Sequence, residues 1–217
     1  MKQRPMLFSG AMVRAILEGR KSITRRIVKP QPAWVYNNKI PVRTPDADPD
    51  GAIRCPYGQP GDRLWVRETF AYYRPFAGEP TSTPIYAADL DHCGQCPIQT
   101  PDGEVMVSPR DGWTPSIHMP RKVSRITLEI TGVRVERLQD ISEADALAEG
   151  VTWPVPPTLA AQGITEYRPP IDASGVTNLR LAANRYRELW ELINGPGSWA
   201  ANPWVWVVAF KRVTPCG

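Results

Sequence analysis

Proline spacing is the feature that most constrains this chain, because proline interrupts helices and is confined to the edges of sheets. The sequence of 217 residues contains 24 prolines, and most of them fall in three stretches, at about residues 29–60, 72–120 and 151–175. No helical or strand period survives in these stretches, so we predict that each is a long irregular loop. Regular structure is expected between them.

The segments between the loops show alternating or helical spacing of apolar residues. Strands are predicted at residues 6–8, 23–28, 63–70, 125–130, 133–138 and 204–213, and helices at residues 10–18, 142–149 and 176–193. Ser9 and Ser142 are predicted N-caps, and Gly19 and Gly150 are predicted to end their helices. These signals are local and do not depend on the rest of the fold.

The order of the predicted elements favours an α+β fold over a doubly wound sheet, since the strands are scattered along the chain. We predict a single domain, residues 1–217, built as a small and mostly antiparallel β-barrel flanked by helices. The three proline-rich stretches are then loop insertions in that barrel. Hydrophobic residues make up 42% of the chain, which is enough for an ordinary folded core.

Several function classes are excluded by what the sequence lacks. No apolar run approaches the roughly 20 residues of a membrane helix, and no apolar segment follows the basic N-terminus as in a secretion signal. Four cysteines are too few for a disulfide scaffold of this length. P-loop, HExxH, GxSxG and dinucleotide-binding motifs are absent. We therefore expect a cytoplasmic protein with no membrane partner.

The cysteines leave open a structural zinc site. Zinc prefers four soft ligands in a tetrahedral array, and residues 92–96 read H-C-G-Q-C. The candidate ligands are Cys55, Cys93 and Cys96, with His92, His118 or Cys216 as the fourth. A single C-x-x-C motif is equally typical of free thiols in a loop. No other cofactor is predicted.

The most unusual local segment is the basic turn after the first helix, which contains Arg20, Lys21, Arg25 and Arg26. The whole chain carries 26 basic and 22 acidic residues, a net charge of +4, which is a weak field when it is spread over a surface. The four cations within seven residues, in contrast, concentrate positive charge in one place. They suit either a solvated strand edge or the recognition of an anionic ligand.

Four segments together resemble the ASCH family, which are small barrels of the PUA-like superfamily that handle RNA or modified nucleosides. The segments are residues 19–26 (G-R-K-S-I-T-R-R), 61–68 (G-D-R-L-W-V-R-E), 141–150 (I-S-E-A-D-A-L-A-E-G) and 204–213 (W-V-W-V-V-A-F-K-R-V). They occur in family order, and the likeness includes ASCH proteins of phages and prophages. The resemblance implies a PUA-like barrel.

One branch of this family consists of bacterial N4-acetylcytidine amidohydrolases. By resemblance to that branch, Lys21 is the general base, Thr24 the nucleophile and Glu149 the proton donor in removal of an acyl group from N4-acylated cytidine or a related modified nucleoside. Two alternatives stay open on the same basic cleft. One is an RNA-binding module without turnover, and the other is a ribonuclease.

Further side chains are candidates for binding the nucleoside or RNA. They are Arg20, Arg25, Arg26, Arg67, Glu68 and Trp153. The strand at residues 63–70 places Arg63, Trp65 and Arg67 on one face, where they suit stacking on a base, although an aromatic at such a position is also typical of a core. The sequence departs from the amidohydrolase branch at Arg25, where a hydrophobic residue is common.

The proposed chemistry sets two conditions on the structure. Lys21 follows a helix C-terminus, where the helix dipole favours its charged form, so a base role requires burial or neighbouring arginines to lower its pKa. In a regular strand Lys21 and Thr24 would face opposite sides, so Lys21 must lie in the turn before the strand begins. Glu149 lies in the last turn of its helix, where the dipole disfavours a carboxylate and suits a proton donor.

Overall fold

The computed structural model describes residues 1–36, 40–42, 52–73, 83–90, 95–100, 103–107, 112–152 and 181–213. Contacts within the chain divide it into two compact units. The first comprises Met1–Gly19, Tyr57–Thr131 and Phe210–Gly217, and the second comprises Arg20–Pro56 and Gly132–Ala209. The single-domain organisation inferred from sequence stays a prediction.

Short strands predominate among the described residues. The strands are β1 (Gln3–Leu7), β2 (Ile23–Ile27), β3 (Trp34–Tyr36), β4 (Ile40–Val42), β5 (Arg63–Arg67), β6 (Phe70–Tyr73), β7 (Thr83–Tyr86), β8 (Cys96–Thr100), β9 (Gly103–Val107), β10 (Thr127–Arg137) and β11 (Trp204–Val213). The helices are α1 (Gly10–Leu17), α2 (Glu143–Ala148) and α3 (Leu181–Asn194).

Five strands form one mixed sheet in the order β1-β5-β10-β11-β2. β1 runs parallel to β5, whereas the β5–β10 and β2–β11 pairs are antiparallel. The other strands form the antiparallel pairs β3–β4, β6–β7 and β8–β9. The predicted mixture of strands and helices is confirmed. The predicted closure into a barrel is not, because over the described residues the sheet order begins at β1 and ends at β2.

Local sequence signals in the first unit are confirmed at α1 and β5. Ser9 is the N-cap of α1 in an extended conformation, although its side chain makes no capping hydrogen bond, and Gly19 follows the helix with a φ of 77°. This left-handed conformation costs glycine little, which is why the helix ends there. In β5, Leu64 and Val66 are fully buried, whereas the alternate residues are half-buried. The two faces of this strand therefore differ as predicted.

Gly58 occupies a tight turn before β5, with a φ of 123°. A Cβ atom at this position would lie 2.8 Å from Arg4 Nη1 and 2.9 Å from Asp62 Oδ2, which together form an ion pair. We expect Gly58→Ala to lower the free energy of unfolding by about 1–3 kcal/mol, measured by urea unfolding. The matched control is Gly61→Ala, because Gly61 has a φ of 90° and open space around its Cβ position. An equal loss of stability in both variants would show that the clash with the Arg4–Asp62 ion pair does not contribute to the effect of Gly58→Ala.

The second unit contains α2 and its predicted cap. Ser142 Oγ accepts a hydrogen bond of 3.1 Å from the backbone N–H of Asp145, which satisfies a donor in the first turn. Glu149 is the C-cap, and Gly150 follows with a φ of 84°. The short helix is therefore fixed at both ends by residues identified from sequence. This places Glu149 at a defined position.

Helix α3 contributes the main apolar surface of the second unit. Ala182, Tyr186 and Trp190 are buried on one side of the helix, at the spacing of an amphipathic helix. They share a core cluster with Val205 and Val207 of β11. Because alternate strand residues lie on one face, the odd-numbered residues of this part of β11 face that core.

Three predictions about loops and turns are wrong. Residues 125–138 do not form two strands with a turn at Thr131 and Gly132, because β10 is continuous from Thr127 to Arg137. The stretches 29–60 and 72–120 contain three hairpins, with Pro41, Pro84 and Pro97 inside their strands. In a two-stranded hairpin both strands are edges, so proline costs fewer ladder bonds than in a larger sheet.

Two further parts of the predicted organisation fall largely outside the described residues. The third predicted loop, at 151–175, is described only at its first two positions, and the predicted start of the last helix at 176–180 is not described. Among the described helices, none combines the length and apolar character needed to cross a membrane.

Candidate functional site

The candidate site is built around Lys21, which lies in the turn between Gly19 and the start of β2 at Ile23. The backbone N–H of the next residue, Ser22, donates a 2.9 Å hydrogen bond to the carbonyl of Ala148 at the end of α2. This bond fixes the basic turn beside the helix that bears Glu149. Lys21 therefore precedes the regular alternation of the strand, as the proposed chemistry requires.

The Lys21 side chain is completely buried, with an exposed fraction of 0%. Its Nζ atom donates to the carbonyl oxygens of Ile23 at 2.8 Å and Glu149 at 2.9 Å, and to Glu149 Oε2 at 2.5 Å. An ammonium group has three N–H donors, and each has an acceptor here. Burial lowers the pKa of Lys21 and outweighs the Glu149 carboxylate, which acts in the opposite direction.

The Glu149 carboxylate is held by two cations. Its Oε2 atom pairs with Lys21, and its Oε1 atom lies 3.4 Å from Arg25 Nη1. The side chain is 3% exposed, so both interactions are shielded from water. Because Glu149 is the C-cap of α2, the position of its carboxylate is set by the helix end and by these two contacts.

Arg25 connects this pair to two more carboxylates. Its Nη2 atom lies 2.5 Å from Glu136 Oε1 and 2.7 Å from Asp145 Oδ2, and its Nε atom donates to Glu136 at 3.1 Å. Arg134 closes the network by binding both Glu136, at 2.9 Å, and Asp145. The Arg25 side chain has no exposed surface, whereas Arg134 is 41% exposed. The network thus extends from a buried centre to the surface.

Tyr186 of α3 covers the other side of Arg25. Its ring centroid lies 5.8 Å from Arg25 Cζ, within the range of a cation–π contact. Burial raises the pKa of Tyr186, and the Glu149 carboxylate raises it further through its charge and a hydrogen bond. The Tyr186 hydroxyl therefore stays protonated and serves as a donor beside Glu149. No local sequence pattern identifies this contact.

Thr24 is buried in β2, with 2% of its surface exposed, and pairs with Val208 of β11. Strand alternation places its side chain on the face opposite that of Arg25. Among the described contacts, the Thr24 hydroxyl makes no hydrogen bond to Lys21 or Glu149. The structure thus brings the predicted base and proton donor together and leaves the predicted nucleophile outside their hydrogen-bond network.

The other two cations of the basic turn are placed differently. Arg20 donates from Nη1 to the carbonyl of Gly150 at 3.3 Å, which adds a second tie between the turn and the end of α2. Arg26 is half-buried and pairs in register with Trp206 on the face that also bears Thr24. The positive charge of Arg26 contributes to the lowered pKa of Lys21.

Two predicted binding residues, Arg67 and Glu68, lie in the first unit and have partners there. Arg67 donates from Nε to the carbonyl of Met119 at 3.2 Å, and its guanidinium lies 5.3 Å from the Trp65 ring centroid. Glu68 is 1% exposed and accepts two hydrogen bonds of 3.0 Å from Arg125. No local sequence signal identified Arg125 as that partner.

The remaining predicted sites fall partly outside the described residues. Trp153, His92, Cys93 and Cys216 are among the residues that are not described. Cys96 is buried, and its Sγ atom lies 3.2 Å from the carbonyl of Tyr86, while Cys55 is half-buried. The described residues contain no group of three His, Cys, Asp or Glu that could hold a metal ion. The zinc site stays a prediction.

The arrangement in the second unit can hold and move a proton. A lysine and a carboxylate lie 2.5 Å apart without exposed surface on the lysine, and a guanidinium shared by three carboxylates lies beside them. Burial lowers the pKa of Lys21, which makes it easier for its proton to move to a nearby acceptor. Comparison with known proteins assigns no family to this geometry: no family model matches the chain, and no curated protein or solved structure matches it significantly.

Proposed function

We propose that this protein is an amidohydrolase that removes the acyl group from N4-acylated cytidine or a related modified nucleoside, in the cytoplasm. The observation that carries the proposal is the buried contact of 2.5 Å between Lys21 Nζ and Glu149 Oε2. The resemblance to the ASCH family assigns the same two residues to the base and the proton donor. The chain is proposed to share the PUA-like barrel of that family, with the five-stranded mixed sheet as its supporting observation.

The Lys21–Glu149 pair can supply both groups that amide hydrolysis needs. Transfer of one proton from the ammonium to the carboxylate creates a neutral amine and a carboxylic acid at the same time. Burial favours the neutral amine of Lys21, because a low-dielectric environment penalises the charge of the ammonium. The lowered pKa of Lys21 agrees with that direction.

The reaction then proceeds in two balanced steps. In the first, the Lys21 amine takes the Thr24 hydroxyl proton as Oγ1 bonds to the acyl carbon, the bond from that carbon to N4 breaks, and Glu149 gives its proton to N4. In the second, water attacks the Thr24 ester, Glu149 accepts a proton from the water, and Lys21 returns its proton to Oγ1. The products are the unmodified nucleoside and a carboxylic acid, and the neutral pair is restored.

Thr24 is the proposed catalytic residue that substrate binding has to bring closer to Lys21. Catalytic hydrogen bonds are often long in an unliganded enzyme and tighten in the complex with substrate. Thr24 is separated from Lys21 by two residues at the point where a turn becomes a strand. The proposal therefore requires that substrate binding brings the Thr24 hydroxyl within hydrogen-bond distance of the Lys21 amine.

The alternative is a non-catalytic RNA-binding module, or a ribonuclease, that uses the same basic turn. Phosphate recognition needs cations whose charge is available to a polyanion. Lys21 and Arg25 have no exposed side-chain surface and are paired with carboxylates. Two of the four cations in the turn are thus neutralised internally, which favours a small pocket over a continuous phosphate track.

The proposal is tested by assaying the purified protein on a panel of N4-acylcytidines, as free bases, nucleosides and short RNAs. We expect release of the acyl group from at least one, and loss of about 10²-fold or more in rate for Thr24→Val, which keeps the shape of the buried side chain and removes the hydroxyl. Thr24→Ser restores a hydroxyl and is expected to keep measurable turnover.

The outcome of this assay separates the candidate functions. Acyl release that is equally fast in Thr24→Val would exclude Thr24 as the nucleophile. Salt-sensitive RNA binding without any acyl release would favour the RNA-binding module, and RNA cleavage would favour the ribonuclease. Chromatography of the nucleoside product and of the released acid gives the readout.

A further inference from the structure

We infer that Arg25, clamped by Glu136 and Asp145, is a positioning residue that orients the Glu149 carboxylate and determines where the proton lies in the Lys21–Glu149 pair. The consequence of Arg25 for catalysis rests on the proposed function. The effect of Arg25 on the protonation of Lys21 does not depend on that function and can be measured without substrate.

The first support is the complete use of the Arg25 guanidinium inside the protein. Three of its atoms contact carboxylates: Nε and Nη2 reach Glu136, Nη2 also reaches Asp145, and Nη1 reaches Glu149. The side chain has an exposed fraction of 0%. An arginine in this state cannot turn outward to bind a phosphate without abandoning three anions, so a role inside the site fits better than substrate binding.

The second support is the unequal distances of these contacts. Arg25 lies 2.5 Å from Glu136 and 2.7 Å from Asp145, but 3.4 Å from Glu149. The two closer carboxylates hold the guanidinium back from Glu149. Without them the arginine would move towards Glu149, and its positive charge would then lie closer to the pair and make protonation of Lys21 less favourable. With them, Arg25 fixes one carboxylate oxygen and leaves the other for proton exchange with Lys21.

The third support is the balance of charge around the pair. The cluster contains three cations and three carboxylates, which are Lys21, Arg25 and Arg134 with Glu136, Asp145 and Glu149. Arg25 and Arg26 of β2 and Tyr186 of α3 act on the pair directly. Arg134 and Glu136 of β10 and Asp145 of α2 act on it through the network around Arg25. Removing one member therefore changes the electrostatic potential at the pair with a sign that can be stated in advance.

The experiment measures the titration of Lys21 by NMR, from the ¹H and ¹³C shifts of its ε-methylene group in the protein without substrate. The Lys21 signal is assigned by its absence in Lys21→Met. Arg25→Met removes a cation beside the pair, so protonation becomes easier and the titration midpoint is expected to rise by about one pH unit or more. Glu136→Gln removes an anion and frees Arg25 to approach Glu149, so the midpoint is expected to fall.

Opposite shifts in these two variants support the inference, and shifts of the same sign or no shift in Glu136→Gln overturn it. Glu136 is partly exposed, so Glu136→Gln keeps the test decisive if Arg25→Met does not fold. Glu188→Gln is the control, because Glu188 is exposed on α3 and pairs with Arg185 outside the cluster. If N4-acylcytidines are hydrolysed, the pH profile of kcat/KM is expected to move in the same directions. Absence of hydrolysis would contradict the proposed function and leave the NMR result to decide the inference.

Discussion

Lys21→Met is expected to reduce the rate of acyl release by about 10³-fold or more at neutral pH while the protein stays folded. The substitution removes the amine that activates Thr24 and that returns a proton in the second step. Methionine keeps an unbranched apolar side chain in the buried channel that the lysine stem occupies. Glu149 retains its contact with Arg25, so it is not left as a buried charge without a cation.

The measurement compares kcat/KM for N4-acetylcytidine with the thermal unfolding midpoint of the same samples. The loss in stability should be smaller than the roughly 3–5 kcal/mol that follows when a buried charge loses every partner. Lys29→Met is the matched control, because Lys29 is exposed and lies just beyond β2. A Lys21→Met protein that is folded and keeps more than about a tenth of the wild-type rate would show that Lys21 is not the base.

The condition that Lys21 must be buried to act as a base came from the sequence and agrees with the structure. The helix dipole at the end of α1 acts against a neutral lysine, so some stronger effect had to oppose it. That effect is burial, which is the largest contribution to the lowered pKa of Lys21. The position of Lys21 before β2 was equally predictable, since Gly19 has the left-handed conformation that ends the helix.

The predictions that agree with the structure rest on neighbouring residues. The cap of α2 by Ser142 depends on a backbone N–H three residues away, and the buried face of β5 depends on alternation alone. The prediction of irregular loops from proline content failed for a physical reason. Proline disfavours a central strand but is tolerated at an edge, so it could not exclude the three hairpins.

The network around Arg25 could not be predicted from local patterns. Its partners Glu136, Asp145 and Glu149 lie 111, 120 and 124 residues away in the sequence. Neither Glu136 nor Asp145 was a candidate site residue in the sequence. Which acid meets which base over such separations is decided by how the strands and helices pack, and the length of β10 itself was predicted incorrectly.

Arg125→Ala is expected to lower the free energy of unfolding by about 3 kcal/mol at neutral pH. Arg125 holds the buried carboxylate of Glu68 with two hydrogen bonds of 3.0 Å and also binds Asp89 at 2.6 and 2.8 Å. Its guanidinium lies 3.9 Å from the ring centroid of Tyr86. Removing it leaves Glu68, which is 1% exposed, without the cation that offsets its burial.

The pH dependence of this loss has a definite sign. Burial raises the pKa of Glu68 in the folded protein, and the hydrogen bonds and charge of Arg125 act against that rise. Without Arg125 the pKa rises further. Between the unfolded and the folded pKa, the folded state keeps a proton that the unfolded state has released, so stability falls as pH increases through this window. The deficit of Arg125→Ala should therefore be larger at about pH 8 than at about pH 5.

Urea unfolding of both proteins at the two pH values provides the measurement. Lys211→Ala is the control in the same unit, because Lys211 pairs with Glu129 at 3.0 Å but is 62% exposed. An exposed pair of this kind contributes about 0–1 kcal/mol, so the control should lose little stability at either pH. If Arg125→Ala loses no more than the control, or loses the same amount at both pH values, water reaches Glu68 and the carboxylate does not depend on Arg125. A loss that grows with pH would instead identify Glu68 as a buried acid that Arg125 keeps ionised.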